Sequence, residues 1–229
     1  MLEEDDLAAT YACLKAWEEA PGGSPSALFA FFNSGNNSGA SQAHRHLQFL
    51  PVADMHAGEA TSGWDVLINS ILTKGTTHSA DTALAIVQHP DLPFTHFAHK
   101  FSGTPSTSQL LQVYNKLYQL AKAAVDNFIV ANPGQLALHG TEEGDLPISY
   151  NLAMTTSGMA ILPRRSEGYM LRHEDGTHLG TVELNGTALG GTLMVKVEDE
   201  WNVLKERPEA LDAVVEAIGI PRTPQATKL

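Results

Sequence analysis

The sequence predicts an α+β fold, on three observations. Apolar residues recur at helical spacing in an N-terminal and in a long central segment. Short runs between them are apolar, aromatic or alternating, and are bounded by Gly, Pro and Asn. There is no internal repeat, and no linker long enough to demand two independent domains.

Each element follows from its own residues. Glu3 to Ala20 predicts an amphipathic helix, with Leu7, Tyr11, Leu14 and Trp17 on one face and acids in the first turn. Pro21-Gly-Gly-Ser-Pro25 ends it, and Ala27 to Asn33 predicts a strand. His44 to Val52 alternates and predicts a second strand. Trp64 to Leu72 suggests a short helix, and Ala83 to Gln88 and Phe94 to Ala98 suggest strands separated by Pro90 and Pro93. The clearest helix starts at Thr104-Pro-Ser-Thr. It carries Leu110, Tyr114, Leu117, Leu120, Ala121, Ala124, Val125 and Phe128 on one apolar face, and stops at Asn132-Pro-Gly. Ser149 to Thr155 and Met159 to Pro163 predict two strands with a tight link. Leu179 to Leu189 alternates only weakly, Gly190 to Lys196 reads as a loop leading into a strand or helix, and Pro208 to Ile218 predicts a terminal helix.

The bulk numbers exclude several functions. The chain has 229 residues, 43% of them hydrophobic and 17% charged, enough for one well-buried core. Its 14 basic and 26 acidic residues give a net charge of −12, which argues against nucleic-acid and membrane-surface binding. Cys13 is the only cysteine, so an intramolecular disulfide and a cysteine-based zinc site are both excluded. No apolar run is long enough to span a membrane, and the acidic start is not a signal peptide. The expected location is cytoplasmic, with the nucleus also open to it.

The chemistry concentrates in Asn33-Ser-Gly-Asn-Asn-Ser-Gly-Ala-Ser-Gln-Ala-His-Arg-His-Leu-Gln48. On a strand, His44, His46 and Gln48 share one face, while Arg45, Leu47 and Phe49 take the other. His46 and Gln48 then lie about 7 Å apart, close enough to touch one phosphate. Gly35 and Gly39 allow backbone conformations in which successive N–H groups converge on an anion. Ser38, Ser41 and Gln42 add neutral donors, which suit a site that must release a polyanion and keep its imidazole uncharged. A neutral imidazole aimed at a phosphate among such donors is a nucleophilic arrangement. Three plainer readings compete: a His-x-His metal pair, whose nearest third ligand is His56; a simple hairpin turn; and two satisfied polar residues at a strand edge. Arg164-Arg165 could meet a distal phosphate or be solvated at a strand end, and His89, His96 and His99 read as structural. Glu142, Glu143 and Asp145 lie in a Gly-flanked loop that reads first as solvated, with attraction of a divalent ion accompanying a polyphosphate as the alternative.

The combination of Asn-x-Gly, Ser-Gly-Ala-Ser-Gln and His-x-His-x-Gln resembles the active-site segment of the fungal-type ATP adenylyltransferases, or diadenosine tetraphosphate phosphorylases. These belong to the histidine-triad superfamily, in its His-x-His-x-Gln branch. Leu92-Pro-Phe-Thr-His-Phe, Ser149 to Thr155, Met159 to Arg165 and Gly190 to Lys196 with the terminal helix are also similar to that family, so the resemblance runs from Leu7 to Ile220.

The resemblance implies a histidine-triad-like antiparallel sheet, a half-barrel with flanking helices, as one domain over residues 1–229. Within it, 1–88 would close an N-terminal region and 89–220 would form the C-terminal region. Family members run about a hundred residues longer at the N-terminus, so the fold is expected to be N-terminally incomplete, with an unpaired sheet edge. The implied activity is phosphorolysis of diadenosine tetraphosphate to ATP and ADP, its reversal, and adenylyl transfer from adenosine phosphosulfate. His46 would carry the AMP group, the His44 carbonyl would fix its tautomer, and Gln48 would hold the α-phosphate. Asn33, Gly39, Ala40, Ser41 and Gln42 would bind nucleotide and phosphate, as would Asn151 and Met154. The implied partners are adenine nucleotides and phosphate, without a covalently bound cofactor or a metal held by the protein, and with Mg2+ or a similar cation accompanying the substrate. Two other readings stand beside it: a non-catalytic nucleotide-binding remnant, and a nucleotidylyltransferase acting on nucleotide sugars, which shares His-x-His-x-Gln.

Overall fold

A computed structural model describes residues 1–20, 27–42, 44–55, 64–77, 84–141 and 146–222. The first helix, α1 (Glu4–Glu19), starts on a reciprocal cap. The Glu3 side chain accepts from the Asp6 backbone, and Asp6 Oδ2 accepts from the Glu3 N–H at 2.8 Å. Glu4, Asp5 and Asp6 place negative charge at the positive end of the helix dipole. Leu7 and Leu14 are fully buried, each contributing about 1.5–3 kcal/mol by leaving water. Trp17, expected on the same face, lies in the last turn of the helix and is 37% exposed.

The long central helix is α3 (Thr107–Ala131); α2 (Leu67–Lys74) precedes it on the far side of the sheet. Ser106 caps α3, its Oγ accepting from the Gln109 N–H at 3.2 Å while Gln109 Oε1 accepts from the Ser106 N–H at 2.8 Å. Its stripe of Leu110, Tyr114, Leu117, Ala121 and Val125 packs with α1 on one face of the sheet.

The main sheet is antiparallel throughout. Its strands are β1 (Leu28–Ser34), β2 (Leu47–Pro51), β3 (Thr76–Thr77), β4 (Val87–Gln88), β5 (Phe97–Lys100), β6 (Ser149–Thr155) and β7 (Gly158–Arg164). They lie in the order β2-β1-β6-β7-β5-β4-β3. A separate hairpin, β8 (Gly168–Arg172) and β9 (His178–Glu183), lies beyond. The chain ends in α4 (Glu198–Glu206) and α5 (Pro208–Ile218). In β1, Ala30 and Phe32 face the α1/α3 core. Phe29 and Phe31 face a second core with Ile68 and Ile71 of α2, Leu171 of β8, Val182 of β9, and Val214 and Ile218 of α5. β1, β6 and β7 are covered on both faces, so they read as largely apolar runs.

Several elements differ from expectation. The second strand begins at Leu47, so His44, Arg45 and His46 precede it. The strand expected over Phe94 to Ala98 is β5 and starts at Phe97. Phe94 forms only a single bridge, with Pro221, while the buried His96 ring bonds to the backbone on both sides of Pro90 and Pro93. β8 has no expected counterpart, whereas Gly190 to Lys196 is mostly loop and leads into a helix, α4, one of the two continuations expected for it. The Pro21–Pro25 stop, His56, Ala83 and the Glu142, Glu143, Asp145 cluster lie outside the described residues. Among the described residues no helix is long and apolar enough to cross a membrane.

Candidate active site

The polar loop connects β1 to β2. Ser38 closes a turn at its start, its N–H donating to the Gly35 carbonyl at 3.1 Å and its hydroxyl to the same oxygen at 2.6 Å. That buried hydroxyl is therefore spent inside the loop, not offered outward. Gly39 has φ +71°, and a Cβ there would sit 2.7 Å from the Leu184 carbonyl oxygen, so both conformation and space demand glycine.

Two residues of β6 nail this loop down. Ser149 and Asn151 are two apart on a strand and share a face. Ser149 Oγ accepts from the Asn37 N–H at 3.0 Å and lies 2.8 Å from His139 Nε2. Asn151 Nδ2 donates to the Ser38 carbonyl and to Asn33 Oδ1, each at 2.8 Å. Asn33 Oδ1 also accepts from the Gly186 N–H at 2.8 Å, and Asn33 Nδ2 reaches the Gly39 carbonyl at 3.5 Å. Asn33 and Asn151 are a cross-strand pair in the β1–β6 register, so their side chains start side by side.

Arg164 lies beneath this pair and is 1% exposed. One guanidinium nitrogen donates to Asn151 Oδ1; others donate to the carbonyls of Ile218, Ser166, Glu167 and Leu184. Burial pushes the guanidinium down to about 9, against the pull of the Glu167 carboxylate. Arg165 stacks over Phe128 at 5.5 Å and donates to the Gly219 and Glu216 carbonyls, its pKa lowered mainly by burial. The distal-phosphate reading is not favoured for Arg164, whose buried head is taken up by Asn151 and four backbone carbonyls, while the part-buried Arg165 is bonded to carbonyls at the end of α5.

His44, Arg45 and His46 are all exposed. The two imidazoles meet edge to face at 5.7 Å. The implied bond from the His46 ring to the His44 carbonyl is not among the hydrogen bonds of the described residues. Arg45 turns the other way and ties the segment to α1, its Nη1 lying 2.9 Å from Glu3 Oε1 and 2.7 Å from Asp6 Oδ2. Gln48 pairs with Phe31, which places it on the sheet face of Asn33 and Asn151; Leu47 and Phe49 pack against the α1/α3 core, as the alternation predicts.

A cavity of about 760 Å³ opens between the loop and the start of α1. Asn33, Ala40, Ser41, Gln42, His44 and Arg45 contribute to its wall; His46, Gln48 and Gly39 do not. Asn151 is fully buried and acts on the loop rather than on the cavity. Met154 is a correction. It is fully buried in the α1/α3 core, an odd step from Asn151 and so on the opposite face. Among the described residues, no group of three or more His, Cys, Asp or Glu is placed to hold a metal. His96 is structural as expected: its Nε2 accepts from the His89 N–H at 2.9 Å, which puts the proton on Nδ1, 3.0 Å from the Phe94 carbonyl.

Residues 90–221 match the profile of the ATP adenylyltransferase C-terminal domain, and residues 1–70 match the Ap4A phosphorylase N-terminal domain. The chain belongs to the ATP adenylyltransferase family. It is 25% identical over 226 residues to Protein APA1 of Saccharomyces cerevisiae, covering 97% of this chain and 61% of that protein. It is 24% identical over 197 residues to diadenosine 5',5'''-P1,P4-tetraphosphate phosphorylase 2 of the same yeast, covering 84% and 52%. Yeast Ap4A phosphorylase Apa2 in complex with AMP superposes with a TM-score of 0.73 at 20% identity, over 99% of this chain and 65% of that one. The complex of Apa2 with Ap4A gives 0.68 at 19%, over 97% and 65%. These likenesses establish the histidine-triad-like fold. This family member spans between half and two thirds of the length of these relatives.

Nothing in the residues around His139 and Gly186 points to their roles. Ser149 was readable in principle, since a Ser-x-Asn pair inside an otherwise apolar strand signals polar groups with fixed partners.

Proposed function

We propose that this chain is a nucleotidylyltransferase that phosphorolyses diadenosine tetraphosphate to ATP and ADP through an adenylylated His46. The supporting observation is the anchored loop. Asn33, Ser149 and Asn151 hold its backbone in one geometry, and it leads into the exposed His44 and His46, with His44 on the wall of a cavity that Asn33, Ser41 and Gln42 share with Glu3 and Arg45. Membership of the family and a yeast relative solved with AMP and with Ap4A supply the substrate class.

The neutral His46 imidazole attacks the α-phosphorus, a P–N bond forms as the bond to the bridging oxygen breaks, and ATP leaves. Inorganic phosphate then attacks the same phosphorus. Its oxygen displaces the imidazole, ADP is released and His46 is restored. Donors around the phosphoryl oxygens, with Asn33 and Gln48 the candidates, would stabilise the charge that develops between the two steps. A divalent cation would arrive with the polyphosphate rather than in a cage of protein ligands, and would neutralise its charge.

The test is to supply diadenosine tetraphosphate and phosphate and follow ATP and ADP by chromatography, with a UDP-sugar in parallel. Equimolar ATP and ADP is the expected result. Turnover of the UDP-sugar alone would assign the site to nucleotide sugars, and binding without any product would make the chain a nucleotide-binding remnant.

A further inference from the structure

We propose that Arg164 is a positioning residue: through Asn151 it sets the direction of two side-chain amides in series, so that Asn33 turns its Nδ2 toward the cavity. Nothing about Arg164 touches the cavity itself. Its reach is through two asparagines, each a planar group with an acceptor at one end and donors at the other.

The chain of reasoning starts from the cation. A guanidinium has N–H donors and no acceptor, so only the oxygen end of Asn151 can face it. The nitrogen end then points away, and both its hydrogens are used, one on Asn33 Oδ1 and one on the Ser38 carbonyl, each at 2.8 Å. A donor facing Asn33 requires that Asn33 present its oxygen inward. The Gly186 N–H adds a second donor to that oxygen at 2.8 Å, which fills both its lone pairs.

The Asn33 amide therefore has its nitrogen turned away from Asn151 and Gly186. That nitrogen has one long partner, the Gly39 carbonyl at 3.5 Å, and Asn33 belongs to the cavity wall. At least one N–H is left for an oxygen of a bound phosphate. Reversing either amide would set oxygen against oxygen at Ser38, or nitrogen against the Gly186 N–H. The low dielectric around a 1%-exposed arginine and a fully buried Asn151 makes such a mismatch costly. The Ile218, Ser166, Glu167 and Leu184 carbonyls hold the guanidinium in place, so the orientation is inherited from the fold.

The proposal rests on the adenylyl-transfer reading for what Asn33 meets, but not for how Asn33 is oriented, and one experiment separates the two. In the full chain labelled with nitrogen-15, side-chain amide exchange is followed by NMR, first alone and then with AMP. The Asn151 NH2 protons should exchange at least about tenfold more slowly than those of Asn33, and AMP should shift the Asn33 resonances. Asn151→Asp keeps an acceptor for Arg164 but turns an oxygen toward Asn33 and Ser38. It should stay folded, lose the AMP-induced Asn33 shift and slow adenylylation of His46 by about 100-fold. Arg164→Gln, whose amide can face Asn151 by either end, should erase the contrast in exchange between the two asparagines.

Equal protection of the two NH2 groups in the wild type would overturn the relay, as would wild-type adenylylation in Asn151→Asp. The predicted exchange contrast without any adduct on wild-type His46 would leave the relay standing and remove the adenylyl-transfer reading instead.

Discussion

The hydroxyls of Tyr114 on α3 and Tyr150 on β6 meet at 2.7 Å, and the Leu2 N–H donates to Tyr114 from 3.2 Å. Tyr150 sits between Ser149 and Asn151 on β6, facing the core while they face the loop. One short stretch of strand thus ties the packing of α3 to the geometry of the candidate site. Burial raises both phenols, Tyr150 well above the ordinary range.

Tyr114→Phe should accordingly destabilise the fold by about 1–3 kcal/mol, because it leaves the Leu2 N–H buried and unpaired and leaves the Tyr150 hydroxyl with Ser34 alone. Urea unfolding should show a lower midpoint with an unchanged slope. An unchanged midpoint would mean that the tyrosine pair holds nothing.

Gly39 and Gly134 make a controlled comparison. Both have positive φ, +71° and +81°, but a Cβ at Gly39 meets the Leu184 carbonyl at 2.7 Å while one at Gly134 meets nothing within 4 Å. Gly134→Ala should cost about 1 kcal/mol, from backbone strain alone. Gly39→Ala should cost about 3 kcal/mol or displace the loop, with adenylylation lost in either case. Thermal melts beside adduct formation would read both effects.

His96 should make the fold acid-sensitive. Burial holds its pKa down to about 4 from 6.5, with Arg222 and His89 pushing the same way and the Phe94 carbonyl opposing them. The folded state therefore resists a proton that the unfolded chain accepts. The stability this confers is complete above pH 6.5 and is lost progressively as pH falls toward 4, by up to roughly 3 kcal/mol. His96→Asn should flatten the dependence of the urea midpoint on pH between 4 and 6.5. An equally steep fall in the variant would place the acid sensitivity elsewhere.

The helices were legible where a one-sided apolar stripe met a capping signal. Ser106-x-x-Gln109 and the run from Leu110 to Val125 state the start and the buried face of α3. β1, β6 and β7 were legible as apolar runs of strand length between turn residues. Two kinds of feature were not. Strand limits such as Leu47 depend on which residues find a partner on β1, and alternation continues past that point into His46 and His44. Nor does local sequence say where polar residues on distant segments find one another. Arg164 looks like a strand-end cation beside Arg165, and only the convergence of α5, the 166–167 turn and Leu184 makes it a buried one. At the site, the Gly-bearing loop and its histidines stood out because ten uncharged residues, seven of them Asn, Ser or Gln, precede His-x-His without a packing rationale. The anchors beneath that loop lie more than a hundred residues away.

The most direct test of the account is the intact mass of the chain after incubation with diadenosine tetraphosphate in the absence of phosphate. Wild type should gain the mass of one adenylyl group, His44→Ala should retain the ability to gain it, and His46→Ala should not. Adding phosphate should remove the group and release ADP. A folded wild-type chain that gains no mass, or a His46→Ala chain that gains it, would contradict the assignment of His46 as the adenylyl acceptor.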